Sequence, residues 1–122
     1  MTDKIKFSIV ITCYNQRDFI GAAIDSALSQ PHPDKEVIVV DDGSSDGSRE
    51  ILERYSGCVR LVRFAANCGA IEARNRGAAV SRGEYLVFLD GDDILTPWCL
   101  DVYQQIVASR EPRLILGPTF WF

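Results

Sequence analysis

The chain has 122 residues, enough for one domain with a hydrophobic core and too few for two. Its net charge of −4 argues against nucleic acid as a partner, because proteins that bind nucleic acids usually carry a basic patch. No apolar stretch approaches the roughly 20 residues that cross a bilayer, and the N-terminus lacks the apolar core of a secretory signal. We therefore expect a cytoplasmic protein, with the inner face of the membrane as the alternative location for a full-length form.

Apolar runs typical of strands alternate with segments of helical periodicity along the chain. The predicted strands cover residues 7–12, 36–41, 59–64, 85–89 and 114–119. The predicted helices cover residues 19–28, 51–55 and 70–80, with a fourth beginning near residue 97. Regular β-α alternation predicts an α/β fold in which a parallel sheet carries helices on both faces.

The four cysteines do not form a recognisable metal or disulfide pattern. No two of them show C-x-x-C spacing, and His32 is the only histidine, so a zinc site is disfavoured. Cys13 and Cys99 lie in apolar segments. We expect free thiols in a reducing compartment.

Polar, turn-forming segments follow three of the predicted strands. They are residues 13–16, 42–47 and 90–93, after the first, second and fourth strands. In parallel α/β sheets, ligands bind beyond the carboxyl ends of the strands. The sequence therefore predicts that these segments converge on one binding site.

Three carboxylates, Asp90, Asp92 and Asp93, follow the apolar run at residues 85–89, which is typical of a buried strand. A solvated turn that caps the next helix is the simpler interpretation, but a cap needs one acceptor rather than three. Like charges this close cost energy unless a cation lies among them. Oxygen ligands suit Mg²⁺ or Mn²⁺, and such an ion could bridge the oxygens of a diphosphate.

Asp42 follows the second strand and opens a second acidic segment. Residues 43–47 are typical of a turn and a helix start, with Ser45 or Asp46 as the N-cap. A tight turn does not require Asp42 itself. A carboxylate at a strand end can accept hydrogen bonds from a base or a ribose, so we expect Asp42 to contact a ligand.

Three further residues are candidates for ligand contacts. Tyr14 offers a ring on which a base could stack, and the backbone at Thr12 could meet the ligand, although the segment also fits a simple strand exit. Arg74 is either a phosphate or base contact or a surface charge.

Together these segments resemble the nucleotide-binding half of the family 2 glycosyltransferases, inverting enzymes with the GT-A fold. The matching segments occur in family order and at family spacing at residues 7–15, 26–30, 36–47, 67–77 and 83–93. The resemblance implies a Rossmann-like, mostly parallel sheet. It also implies that residues 1–122 form the donor half of a metal-dependent enzyme of polysaccharide biosynthesis.

The resemblance assigns roles to individual residues. Thr12 and Tyr14 would line the base and ribose pocket, and Asp42 would bond the base, typically the uracil of a UDP-sugar. The segment at 90–93 matches the D-x-D-like motif of the family, in which Asp92 would face the ribose and the sugar. The metal that bridges the diphosphate would be held by Asp93 with Asp90, and Arg74 would contact the nucleotide.

The acceptor half of the family, including its catalytic-base carboxylate, has no counterpart in these residues. We therefore expect a truncated fold that binds a nucleotide-sugar but does not transfer the sugar. An acceptor glycan or lipid-linked sugar would bind to the missing half. The aromatic run at residues 120–122 would favour self-association.

Other classes fit the sequence less well. A response-regulator receiver carries its acidic pair after the first strand, and a Rossmann dehydrogenase needs a G-x-G-x-x-G segment there. A nucleotidyltransferase needs a glycine-rich basic loop at that place. A non-catalytic domain that only binds nucleotide-sugars would have the same carboxylates and remains an alternative.

Overall fold

The computed structural model describes residues 5–110, in which strands and helices alternate as predicted. The elements are β1 (Phe7–Cys13), α1 (Ile20–Leu28), β2 (Lys35–Asp41), α2 (Ser48–Glu53), β3 (Arg60–Arg63), α3 (Ala70–Val80), β4 (Tyr85–Asp90) and α4 (Cys99–Arg110). The predicted strand at residues 114–119 and the aromatic run at 120–122 lie outside the described residues. Within the described range, no helix is both long enough and apolar enough to cross a membrane.

The four strands form one parallel sheet in the order β3-β2-β1-β4. The chain first moves outwards from β1 through β2 to β3. It then returns across the sheet through α3 and adds β4 on the other side of β1. The strand order therefore reverses between β1 and β4, which is where open α/β sheets bind ligands. The predicted fold class is confirmed.

Helices cover both faces of the sheet, as predicted. Alternate residues of β1 face opposite ways. Ile9 and Ile11 belong to the larger buried cluster, which includes residues of α1, α2 and α4. Val10 belongs to a smaller cluster with Ala73 of α3. Central strands covered on both faces need continuous apolar runs, which explains the composition of β1 and β2.

Helix α3 lies close to the sheet because its buried face consists of the small residues Ala73 and Gly77. A Cβ atom at Gly77 would overlap Cγ1 of Val10, which is fully buried in β1. The close approach fixes the position of the helix over β1 and β2. The side chain of Arg74, next to Ala73, can therefore reach the end of β4.

The prediction that residues 85–89 form a strand is confirmed, but the prediction that this strand is buried is wrong. Leu86 and Phe88 are 42% and 48% exposed. The reason is that β4 is the edge strand of the sheet formed by the described residues, and α3 contacts β1 and β2 on that face of the sheet. Val87 and Leu89, which face the other way, are buried in the larger cluster.

The helix starts also differ from the sequence prediction. Gly47, with φ of 99°, is the N-cap of α2 in place of Ser45 or Asp46. Glycine adopts this left-handed conformation without steric cost. Asp46 still accepts a hydrogen bond from the backbone of Ser48 at 3.0 Å. Helix α4 begins at Cys99, two residues later than predicted.

All four cysteines are free thiols, in agreement with the sequence prediction. Cys13 is buried in the larger cluster and Cys99 is half-buried. Burial raises the pKa of both thiols above 9.0, so they stay protonated at neutral pH. Cys58 and Cys68 are exposed.

Candidate functional site

The carboxyl ends of β2, β1 and β4 lie side by side. In the parallel register, Cys13 pairs with Asp41 on one side, and Thr12 pairs with Asp90 on the other. Neighbouring strands of a sheet are about 4.8 Å apart. The backbone N–H of Asp42 donates to the carbonyl of Cys13 at 2.8 Å, which extends this pairing past the end of β2. The predicted convergence of the three polar segments is therefore confirmed.

The acidic segment after β4 forms a compact group of oxygen ligands. One carboxylate oxygen from each of Asp90, Asp92 and Asp93 lies within 4.8 Å of the other two. A turn brings them together, since the N–H of Asp93 donates to the carbonyl of Asp90 at 3.0 Å. Asp90 and Asp92 are exposed and Asp93 is half-buried.

The electrostatics of this group fit a cation. Burial, followed by the negative charges of Asp92 and Asp90, raises the pKa of the Asp93 carboxyl above its ordinary value of 3.8. A raised pKa means that the negative form of Asp93 is destabilised in the folded protein. A hard divalent ion would remove that repulsion, and three carboxylates are a suitable ligand set for it.

Arg74 places a positive charge beside the acidic group. Its Nη2 lies 3.1 Å from Oδ1 of Asp90. Both side chains are at least 40% exposed, so the ion pair contributes little to stability and can exchange for other partners. Arg74 is therefore placed where it could turn from Asp90 to an incoming phosphate.

Gly91 allows the acidic segment to lie directly against the end of β1. A Cβ atom there would overlap the side-chain Oε1 of Gln16 and approach the carbonyl oxygen of Thr12 to 2.7 Å. Any larger residue would push the loop after β4 away from the loop after β1. The glycine between Asp90 and Asp92 thus keeps two parts of the site in contact.

Asp42 is 3% exposed and organises the loop that precedes α3. Its Oδ1 accepts from the N–H of Cys68 at 2.7 Å. Its Oδ2 accepts from Nδ2 of Asn67 at 2.9 Å and from the N–H of Gly69 at 3.0 Å. A carboxylate has about four acceptor sites, and these bonds use three of them.

The loops after β1 and β2 are joined by side-chain hydrogen bonds. The N–H of Gln16 donates to Oγ of Ser48 at 3.1 Å. The N–H of Arg17 donates to Oδ2 of Asp46 at 3.1 Å. Asn15 makes two further bonds between the same loops. The segments after β1 and β2 are therefore one connected unit.

Thr12 and Tyr14 lie at different depths in this unit. Thr12 is half-buried within β1, whereas Tyr14 lies beyond the strand end and is 47% exposed. The exposed ring is free to accept a base on its face. The structure thus places Thr12, Tyr14 and Asp42 around the ends of β1 and β2. It groups Arg74 with the three aspartates at the end of β4.

Sequence reasoning did not assign the residues that hold these loops together. Asn15, Ser44 and Asn67 make bonds between segments about 25 to 30 residues apart. The only sequence signal was indirect. Asn15 is a turn-forming residue after a strand, and Asn67 lies two residues before a glycine that starts a helix.

The family model described as Glycosyl transferase family 2 matches residues 8–116. The cholesterol galactosyltransferase of Borreliella burgdorferi is 37% identical over 111 residues, which cover 88% of this chain and 31% of that protein. The putative teichuronic acid biosynthesis glycosyltransferase TuaG of Bacillus subtilis is 42% identical over 89 residues, which cover 70% of this chain and 35% of that protein.

Solved structures agree with the sequence comparisons. The structure of S. aureus TarS in complex with UDP-GlcNAc superposes with a TM-score of 0.81 at 28% identity, covering 88% of this chain and 32% of that one. The chain thus spans about a third of the length of these relatives. The match over residues 8–116, with the site at the reversal of strand order, shows that the chain belongs to glycosyl transferase family 2.

Proposed function

We propose that this chain is the donor-binding part of a metal-dependent glycosyltransferase, which transfers a hexose from a UDP-sugar to an acceptor hydroxyl with inversion. The observation that carries the proposal is the group of three carboxylates within 4.8 Å of one another, at the end of an edge strand where the sheet reverses its order. TarS, which has the same fold, has been solved with UDP-GlcNAc and with UDP.

The nucleoside would bind over the ends of β1 and β2. Tyr14 would stack on the base, and Thr12 would line the pocket below it. Asp42 would use its one remaining acceptor site for an N–H of the base. Uracil carries such an N–H, so UDP would satisfy this acceptor, and the UDP-GlcNAc and UDP complexes of TarS support UDP as the donor nucleotide.

The diphosphate would lie over the end of β4. Asp93 and Asp90 would hold Mg²⁺ or Mn²⁺, and Asp92 would face the ribose and the sugar. The ion would neutralise the charge that develops on the leaving diphosphate. With the negative charge of Asp90 neutralised by the ion, Arg74 would be able to leave Asp90 and bind a phosphate oxygen.

We assign no catalytic base to this chain. Inverting transfer needs a base that takes the proton of the acceptor hydroxyl as the hydroxyl attacks from the face opposite the nucleotide. Family relatives are about three times as long as this chain, and we propose that their additional residues supply the base and bind the acceptor glycan or lipid-linked sugar. The 122-residue chain would then bind the donor without transferring the sugar.

Calorimetric titration tests this proposal. UDP and GDP are titrated into the chain with and without Mn²⁺, and we expect binding that needs the ion and prefers UDP. Asp93→Asn should abolish the effect of Mn²⁺. Asp101→Asn is the matched control, because Asp101 is an exposed acid on α4 outside the group of three. Binding that is indifferent to the ion, or unaffected by Asp93→Asn, would contradict the proposal.

A further inference from the structure

Asn15 has an unusual backbone conformation and connects two loops of the site. With φ of 50°, it is the only residue other than glycine with positive φ among the described residues. Its N–H donates to Oγ of Ser44 at 3.0 Å. Its side-chain Oδ1 accepts from the N–H of Ser45 at 2.8 Å. One residue of the loop after β1 is thus bound twice to the loop after β2.

We call the two hydrogen bonds that join Asn15 to Ser44 and Ser45 the Asn15 clamp. Its partner Ser44 is itself fixed. Ser44 is 6% exposed, and its N–H donates to Oδ1 of Asp41 at 3.1 Å. Asp41 is the last residue of β2 and is fully buried. The two bonds of Asn15 therefore attach a surface loop to a rigid part of the sheet.

The clamp lies between the two residues proposed to bind the nucleoside. Tyr14 directly precedes Asn15, and Asp42 lies two residues before Ser44. Tyr14 itself has little to hold it, since it is 47% exposed and its N–H is 3.4 Å from Oε1 of Gln16. The course of the chain at Tyr14 thus depends on its neighbour Asn15.

We infer that Asn15 is a positioning residue, which holds Tyr14 in the position relative to Asp42 that receives the nucleoside of the donor. The inference rests on the proposed function. A protein whose competent arrangement is only partly populated binds its ligand more weakly by that fraction. The clamp raises the competent fraction before the ligand arrives, without touching the ligand.

The residue type fits this role. Asparagine tolerates the left-handed backbone better than most side chains and also offers an acceptor oxygen. Glycine would permit the backbone conformation and lose the acceptor. Aspartate would keep both. The series Asn15→Gly and Asn15→Asp therefore separates the side-chain bond from the backbone conformation.

The test compares the affinities of the same chain for two ligands, UDP and Mn²⁺. UDP affinity in the presence of Mn²⁺ is measured by calorimetry, and the affinity for Mn²⁺ alone is measured from the EPR signal of the free ion. Losing one hydrogen bond of ordinary net strength changes an equilibrium constant by roughly two- to twelvefold. We expect Asn15→Gly to lower UDP affinity about tenfold, to leave Mn²⁺ affinity within about twofold, and Asn15→Asp to retain most UDP affinity.

Two further variants identify the clamp as the cause. Ser44→Ala removes the acceptor of the Asn15 N–H, and the double variant with Asn15→Gly should lose less UDP affinity than the sum of the two single effects. Tyr55→Phe is the stability control, since it removes bonds to Asp25 and Gly21 at 2.9 and 3.3 Å away from these loops. It should leave UDP affinity unchanged.

The outcomes separate the inference from the proposed function. If the unmodified chain does not bind UDP with Mn²⁺, the proposed function fails and the inference fails with it. If the unmodified chain binds UDP and Asn15→Gly binds it equally well, only the inference is overturned. The inference is also overturned if Asn15→Gly loses Mn²⁺ to the same degree, or if Tyr55→Phe loses UDP to the same degree.

Discussion

Asp42→Asn should destabilise the fold and release the loop at residues 65–69. The carboxylate accepts three hydrogen bonds, one at Oδ1 from Cys68 and two at Oδ2 from Asn67 and Gly69. An asparagine side chain can direct its oxygen to the two donors now at Oδ2. Its NH₂ group then faces the N–H of Cys68, and two donors oppose each other.

The magnitude follows from these contacts. A hydrogen bond to a charged group contributes roughly 1.5–3 kcal/mol, and loss of the bond from Cys68 removes one of them. The other two bonds become neutral, at roughly half their strength. Partial relaxation of Cys68 towards water offsets some of the cost. We expect a loss of about 2–4 kcal/mol in the free energy of unfolding, within the roughly 5–15 kcal/mol available to a domain.

The assay is urea denaturation of the chain and its Asp42→Asn and Asp101→Asn variants. Amide hydrogen exchange then locates the change. The N–H groups of Cys68 and Gly69 should exchange faster in Asp42→Asn, and those of β1 should change only with global stability. A loss under about 0.5 kcal/mol, or unchanged exchange at Cys68 and Gly69, would refute the reasoning that Asp42 holds this loop.

Four other predictions concern the site and the sheet. Asp93→Asn should raise the Tm of the metal-free protein at pH 7 and abolish stabilisation by Mn²⁺. The folded state holds the proton of Asp93 more tightly than the unfolded chain, so this group favours folding at low pH and opposes it above its raised pKa. Protonated Asp93 cannot bind a cation, so the Mn²⁺ affinity of the unmodified chain should fall as the pH is lowered. Because the pKa of Asp93 is raised, the fall should begin at a pH above 3.8. Tyr14→Ala should weaken UDP binding by about 1–3 kcal/mol through lost stacking. Gly77→Ala should destabilise the fold by about 1–2 kcal/mol, because overlap with Val10 costs more than the helix propensity gained.

Each of these four predictions is checked by one measurement, and a specific result would contradict it. A lower Tm of metal-free Asp93→Asn in a thermal scan would show that the carboxylates do not repel one another. Mn²⁺ affinity that stays constant between pH 7 and about 4 would exclude Asp93 as a ligand. Equal UDP affinity of Tyr14→Ala by calorimetry would remove the stacking role. A more stable Gly77→Ala in urea would mean that α3 lies further from the sheet.

The sequence predicts well those elements whose character is local. Strands β1 and β2 are continuous apolar runs because both of their faces are buried. Helix α3 was predicted with its observed bounds, Ala70–Val80, because alanine-rich periodicity is a property of the segment itself. The position of the acidic groups also followed, since a parallel sheet places all strand ends of one kind at one edge.

The remaining features depend on contacts between distant segments. The apolar run of β4 does not reveal that the strand lies at the edge, so the exposure of Leu86 and Phe88 was not predicted. The ion pair of Arg74 with Asp90 depends on how closely α3 approaches the sheet. The bonds of Asn15 join loops about 30 residues apart, and no local pattern indicates them.

The most direct test of the proposed donor site is an anomalous difference map from a crystal of this chain grown with Mn²⁺ and UDP. We expect a manganese peak among the carboxylates of Asp90, Asp92 and Asp93, in contact with the diphosphate, and the uracil over Tyr14. A map with ordered UDP and no manganese at these three residues would contradict the central claim.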